Sequence, residues 1–241
     1  MGLSIAAFVP EGIVIASDGL VEIRNNERDH CFLHKKQTRL FIFQDKYMIN
    51  IHECGYLKGL PCAFYVNKVF AKLVNSTIST IKDFANAFNN EMSSIISEEL
   101  YLSFYVAGME RNAESNQCTP VLLLWDKGQV SIINRGVDKK IVYNFHSIGH
   151  GMWLNKLLLP TSFVMETGER IDFDQVDIDF SKYSIEDAIH FSKELLTISR
   201  KMDNIVQLKQ MVGEFLTFGI LTLEGKLTII KDLECWSQLD Y

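Results

Sequence analysis

No apolar run in the 241-residue chain approaches the roughly 18 residues that a helix needs to cross a bilayer, so no membrane partner is expected. Basic residues form no stripe, and 24 Lys and Arg against 30 Asp and Glu leave a formal charge of -6, which argues against nucleic acid as a partner. The first residues lack a basic segment followed by an apolar one, so no secretory signal is expected. Met1-Gly2 opens a myristoylation pattern that fails at Ala6, where Ser or Thr is needed. Cysteines are few and odd in number: Cys31, Cys54, Cys62, Cys118 and Cys235 follow no framework spacing, which fits free, mostly buried thiols in the cytoplasm. His30, Cys31 and His34 lie close together, but a metal site needs a second ligand pair that the sequence does not supply, and no metal or cofactor is expected. With only 4 prolines and no low-complexity tract, repeat or linker, nothing divides the chain.

What is present is ordinary for one domain over residues 1–241: 47% hydrophobic and 22% charged residues, enough to bury a large core. The organising stretch is Gly12-Ile13-Val14-Ile15-Ala16-Ser17-Asp18-Gly19, whose four apolar residues between two turns predict a strand buried on both faces. Leu3 to Val9 ahead of Pro10-Glu11-Gly12 predicts the first arm of a hairpin into it. Val21 to Lys36 reads as an exposed loop or ribbon, and Arg39–Phe43 with Tyr47–Ile51 as a second hairpin.

Helical spacing begins after Gly55. Ala63, Val66, Phe70, Leu73 and Val74 trace one stripe, leaving Phe64, Tyr65 and Val69 on the outward side. Ile81, Phe84, Ala85, Phe88, Met92, Ile95 and Ile96 trace a second helix behind the capping box Thr80 to Asp83. Strands are expected again at Leu102–Met109, Pro120–Trp125, Val130–Asn134 and Ile141–Ile148, then a short helix from Trp153 to Leu159. Glu166 to Asp179 is acidic and irregular, as in a surface insertion. Ser184 to Asp187 caps a third helix with inner face Ile185, Ala188, Ile189, Ser192, Leu195, Leu196 and Ser199, and Phe215–Leu223 and Leu227–Ile230 close the chain as a hairpin. This order predicts an α+β fold: a four-layer αββα sandwich of two antiparallel sheets with helices outside.

The opening hairpin, the strand Phe104 to Met109, the turn Ser147-Ile148-Gly149-His150-Gly151, the helix from Ser184 to Asp203, and Gly213-Glu214 before the last hairpin occur in one order. Together they resemble proteasome β subunits and the related bacterial ATP-dependent ring peptidase, which share the N-terminal-nucleophile (Ntn) hydrolase fold. In that family the first residue supplies a hydroxyl nucleophile and, through its α-amine, a base. A lysine held by an Asp lowers the nucleophile's pKa, a serine and a second Asp organise the amine, and a backbone N–H stabilises the oxyanion.

Carried over by position, the resemblance puts Asp18 and Asp203 at the two acids, Arg39 (or Lys36) at the lysine, His150 at the turn serine and Val206 at the serine after the second acid. The nucleophile's place falls on Gly2, which has no side chain to attack with. Arginine keeps the lysine's charge but cannot shuttle a proton. A turn-capping Asp18, a His150 paired with Asp203 or Asp18, and a Ser4 exposed by cleavage after Leu3 are the alternatives at individual residues. The reading is a proteasome-subunit-like protein without peptidase activity, a structural or regulatory component of a homo-oligomer (a ring or double ring expected ahead of a dimer) with a peptide or protein partner. The alternative is an active Ntn-type peptidase or small amidase with another nucleophile. Removal of Met1 would leave a free Gly2 amine and no self-processing.

Overall fold

The computed structural model describes residues 2–24, 31–34, 37–52, 56–57, 60–96, 102–111, 117–126, 128–136, 140–149, 161–164, 170–173, 178–205, 212–213 and 215–231, with the backbone alone at 21–24, 31–34, 56–57, 96, 161–164, 170–173 and 203–205. Strands β1 (Leu3–Val9) and β2 (Gly12–Asp18) form the first hairpin, and β3 (Val21–Arg24) pairs with β4 (Cys31–His34) as a short ribbon. The second hairpin, β5 (Leu40–Phe43) and β6 (Tyr47–His52), turns on Gln44 and Asp45 at φ 52° and 49°, with the Lys46 N–H donating to the Phe43 carbonyl at 3.0 Å. A two-residue pair, β7 (Tyr56–Leu57) with β8 (Leu60–Pro61), leads into helices α1 (Cys62–Leu73) and α2 (Ile81–Ile96). Then come β9 (Ser103–Arg111), β10 (Cys118–Asp126), β11 (Gln129–Ile132) and β12 (Asn144–Gly149). A small hairpin, β13 (Thr161–Val164) and β14 (Arg170–Phe173), precedes a 3-10 turn at Phe180–Lys182, helix α3 (Ile185–Ile205), and strands β15 (Leu216–Thr222) and β16 (Leu227–Lys231).

Two antiparallel five-stranded sheets result, ordered β12-β1-β2-β15-β16 and β11-β10-β9-β6-β5. Strand alternation explains how both faces of each sheet become apolar. In β1, Leu3, Ile5, Ala7 and Val9 pack with Ala188, Ile189, Leu195 and Leu196 of α3. The alternate residues Ala6 and Phe8, with Ile13, Ile15 and Leu221, meet Leu40, Met48, Tyr105, Ala107 and Leu122 of the other sheet. The opposite face of that second sheet, through Ile49, Ile51, Phe104, Val106 and Leu123, packs on Val66, Val69, Phe84 and Phe88 of α1 and α2. The continuous burial of β1 and β2 follows, since every side chain on either face has an apolar layer to enter.

Both expected capping boxes form. The Thr80 hydroxyl accepts from the Asp83 N–H at 3.0 Å while the Asp83 carboxylate accepts from the Thr80 N–H at 3.1 Å, and Ser184 and Asp187 repeat the exchange at 3.1 and 2.9 Å. The stripe expected for α1 is rotated, however. Cys62, Tyr65, Val66, Val69 and Leu73 are buried, whereas Val74 is 49% exposed; of the three residues expected outward only Phe64, at 51%, is. This helix is apolar on more than one face, so periodicity alone did not select the buried side. Part of the acidic segment expected to be irregular is instead strand β14, paired with β13 from Arg170 opposite Val164 to Phe173 opposite Thr161. The helix expected at Trp153–Leu159 lies outside the described residues.

Phe84 anchors the α2 side of the core: it is fully buried, stacked on Tyr47 at 4.7 Å and on Phe43 at 5.2 Å between ring centroids. Phe84→Ala should therefore cost about 3–5 kcal/mol, read from the shift in urea midpoint at unchanged slope.

Candidate functional site

The hairpin of β1 and β2 sets Ser4 opposite Ser17, and so brings Leu3 level with Asp18 at the strand end. Asp18 is buried there, and every group that bonds it is a donor. Its Oδ1 accepts from the Leu3 N–H at 2.9 Å, and its Oδ2 from the Gly213 N–H at 2.6 Å and the Leu20 N–H at 3.3 Å. Arg39, just ahead of β5 and also buried, places its Nη1 3.6 Å from Asp18 Oδ1, and its Nη2 donates to the Leu20 carbonyl. Burial pushes the Asp18 carboxyl above the ordinary carboxylate range, while Arg39 and the N–H groups of Gly213, Leu3 and Leu20 pull it back. No acceptor stands ready for a proton on this carboxyl among the described residues, so the geometry is built for the ionised form.

Gly2 faces this pair. A Cβ built on Gly2 would overlap the Arg39 guanidinium, lying only 2.6 Å from Nη2 and 2.7 Å from Cζ. The space that a side chain at position 2 would enter is thus occupied by a charged group that Asp18 and the Leu20 carbonyl hold in place. Ser4 lies inside β1, fully buried, with its hydroxyl 3.1 Å from that of Ser17.

The structure brings Gly2, Asp18 and Arg39 together. His150, Lys36 and Val206 lie outside the described residues, and Asp203 is described only as backbone in the last turn of α3. Sequence reasoning missed two histidines. His52 is buried on the face of β6 that alternates with Ile49 and Ile51, and burial, reinforced by the nearby Arg39 charge, lowers its pKa to about 3. A Cβ on Gly149, at φ +102°, would overlap both the His52 ring and the Gly2 carbonyl oxygen, so the end of β12 closes on the same spot. His146, also on β12, lies 2.7 Å through Nδ1 from the Tyr105 hydroxyl, and Ser103 on β9 donates to Asp126. The signal for His52 was legible, since Asn50 and His52 interrupt an otherwise apolar strand at a spacing of two. Among the described residues no three His, Cys, Asp or Glu side chains are placed to hold a metal ion.

No protein-family model matches this chain. No curated protein sequence matches it either. Among solved structures, it is similar to a chain of the helical assembly of the Anbu complex from Pseudomonas aeruginosa, with a TM-score of 0.57 and 14% identity over 95% of this chain and 85% of that one. At that identity the likeness shows the fold alone, a proteasome-like one with two antiparallel sheets and helices. No helix among the described residues is long and apolar enough to cross a membrane.

Two outcomes follow for the buried pair. Asp18→Ala should cost about 3–5 kcal/mol by stranding the guanidinium, with less lost when Arg39→Leu is added; denaturant melts of the double-mutant cycle read the coupling, and simple additivity would count against a working pair. Gly2→Ala should cost about 1–3 kcal/mol through overpacking against Arg39 and through the φ of +154° at this position, and in a double-mutant cycle with Arg39→Ala the double variant should lose less than the sum of the two single losses.

Proposed function

We propose that this chain is a proteasome-like subunit that carries out no N-terminal-nucleophile peptide hydrolysis and serves as a structural or regulatory member of a self-assembling particle. The observation that carries the reading is the Arg39 guanidinium lying in the space of a residue-2 side chain, beside a glycine that offers no nucleophile. An arginine in that position holds charge without giving or taking a proton near neutral pH, so it fits a structural pair better than a catalytic one. The alternation of apolar faces, with helix packing outside each sheet, fits a single four-layer αββα sandwich over residues 1–241. The self-assembly part draws on the assembly named for the Anbu neighbour and on Leu60, Phe64 and Val74, exposed by 42, 51 and 49% around α1.

The test is incubation with an electrophile that captures N-terminal nucleophiles, followed by intact mass and peptide mapping. Unmodified protein is the expected result. Stoichiometric labelling at the first residues, abolished by Asp18→Asn, would restore the peptidase or amidase reading. Light scattering at micromolar concentration should give a mass several times the 27.6 kDa of one chain, and a monomer would remove the assembly from this proposal.

A further inference from the structure

Tyr105 and His146 stand on different sheets, one on β9 and the other on β12, and their hydrogen bond crosses the interior between them. Tyr105 is fully buried among Ala107, Leu122 and Met48, and burial holds its hydroxyl protonated well above the ordinary tyrosine range. Among the described residues the hydroxyl has one partner, Nδ1 of His146 at 2.7 Å, with the rings edge-on at 5.9 Å. The phenol therefore donates to Nδ1, and the imidazole carries its hydrogen on Nε2. A proton added at Nδ1 would reverse the contact, the phenol oxygen accepting from the imidazolium, and would leave the phenol hydrogen without an acceptor in an apolar interior.

Strand β12 is the edge of its sheet, paired on one side to β1 from Leu3 opposite Gly149 to Phe8 opposite Asn144. An edge strand is the part of a sheet that loosens without breaking the rest. Its last residue, Gly149, sits against the His52 ring and the Gly2 carbonyl. We propose that the Tyr105–His146 hydrogen bond is an acid-weakened latch, which holds β12 against the second sheet and thereby keeps Gly149 against Gly2 and His52.

Among the described residues the groups facing His146 are few. Asp126 on β10, engaged by Ser103, raises its affinity for a proton, while burial lowers that affinity by more. Its partner across β1 is Ala6, and the 3-10 turn with Asp179 and Lys182 packs through Phe180 on Phe145, whose side chain points to the other face of β12. With the folded-state pKa below the unfolded one, the neutral imidazole's contribution is complete above about pH 6.5 and is lost as pH falls through the folded value.

The test is amide hydrogen exchange of residues 144–149 at about pH 7 and about pH 5, each compared with His146→Gln at the same pH. The glutamine carbonyl can accept from Tyr105 and does not titrate. Wild-type protection in β12 should fall by up to about tenfold per pH unit more than in the variant. Tyr105→Phe, which lacks the latch at any pH, should show raised β12 exchange already at about pH 7. Equal acid responses in wild type and His146→Gln, or an acid loss spread evenly over β1, β2 and β9, would overturn the latch. If the glutamine variant does not fold, Tyr105→Phe decides alone: wild-type β12 exchange at neutral pH would overturn it.

Discussion

The burial of one carboxylate organises this molecule. Asp18 ends the strand at the centre of its sheet, and the donors that satisfy it come from the start of β1, from the residue two places on, from the segment ahead of β15 and from the side chain ahead of β5. Those partners span nearly the whole chain, from Leu3 to Gly213. A buried charge without its partners is far more costly than one fully bonded, so these segments are bound to one another by a common need. The ion pair also crosses from one sheet to the other, since Arg39 leads into β5.

Around that point the strands do two jobs at once. β1 and β2 alternate between the layer under α3 and the layer between the sheets, which is why neither shows the polar alternation of a half-exposed strand. The apolar interior between the sheets turns polar toward the Gly2 end, where Ser4, Ser17, Asn50, His52 and Ser103 replace the aliphatic residues. Polar groups in such an interior cost stability unless their hydrogen bonds are met, and the Ser4 and Ser17 hydroxyls meet that need with each other at 3.1 Å.

Much of this was readable from the residues. The boundaries of β1 and β2, both capping boxes and the inner face of α3 depend on local spacing and turn chemistry, and they agree with the expected ones. The rotation of α1 was not readable, because Tyr65 and Phe64 are both large aromatics and only the surface beneath decides which one enters the core. Strand β14 was hidden by its acids, which obscured the two-residue period of Arg170-Ile171-Asp172-Phe173. At the site, Gly2, Asp18 and Arg39 were legible from their order in the chain. The contact of Gly149 with His52 and the bond between Tyr105 and His146 were not, because each joins strands that are neighbours only after the sheets have formed.

The packing of Arg39 against Gly2 also constrains how this sequence can change over generations. A larger residue at position 2 arriving first meets a guanidinium that cannot step aside without abandoning Asp18 or the Leu20 carbonyl. A smaller residue at position 39 arriving first leaves Asp18 short of its countercharge. Either order passes through a less stable intermediate, so glycine and arginine form an epistatic pair in which each makes the other hard to lose.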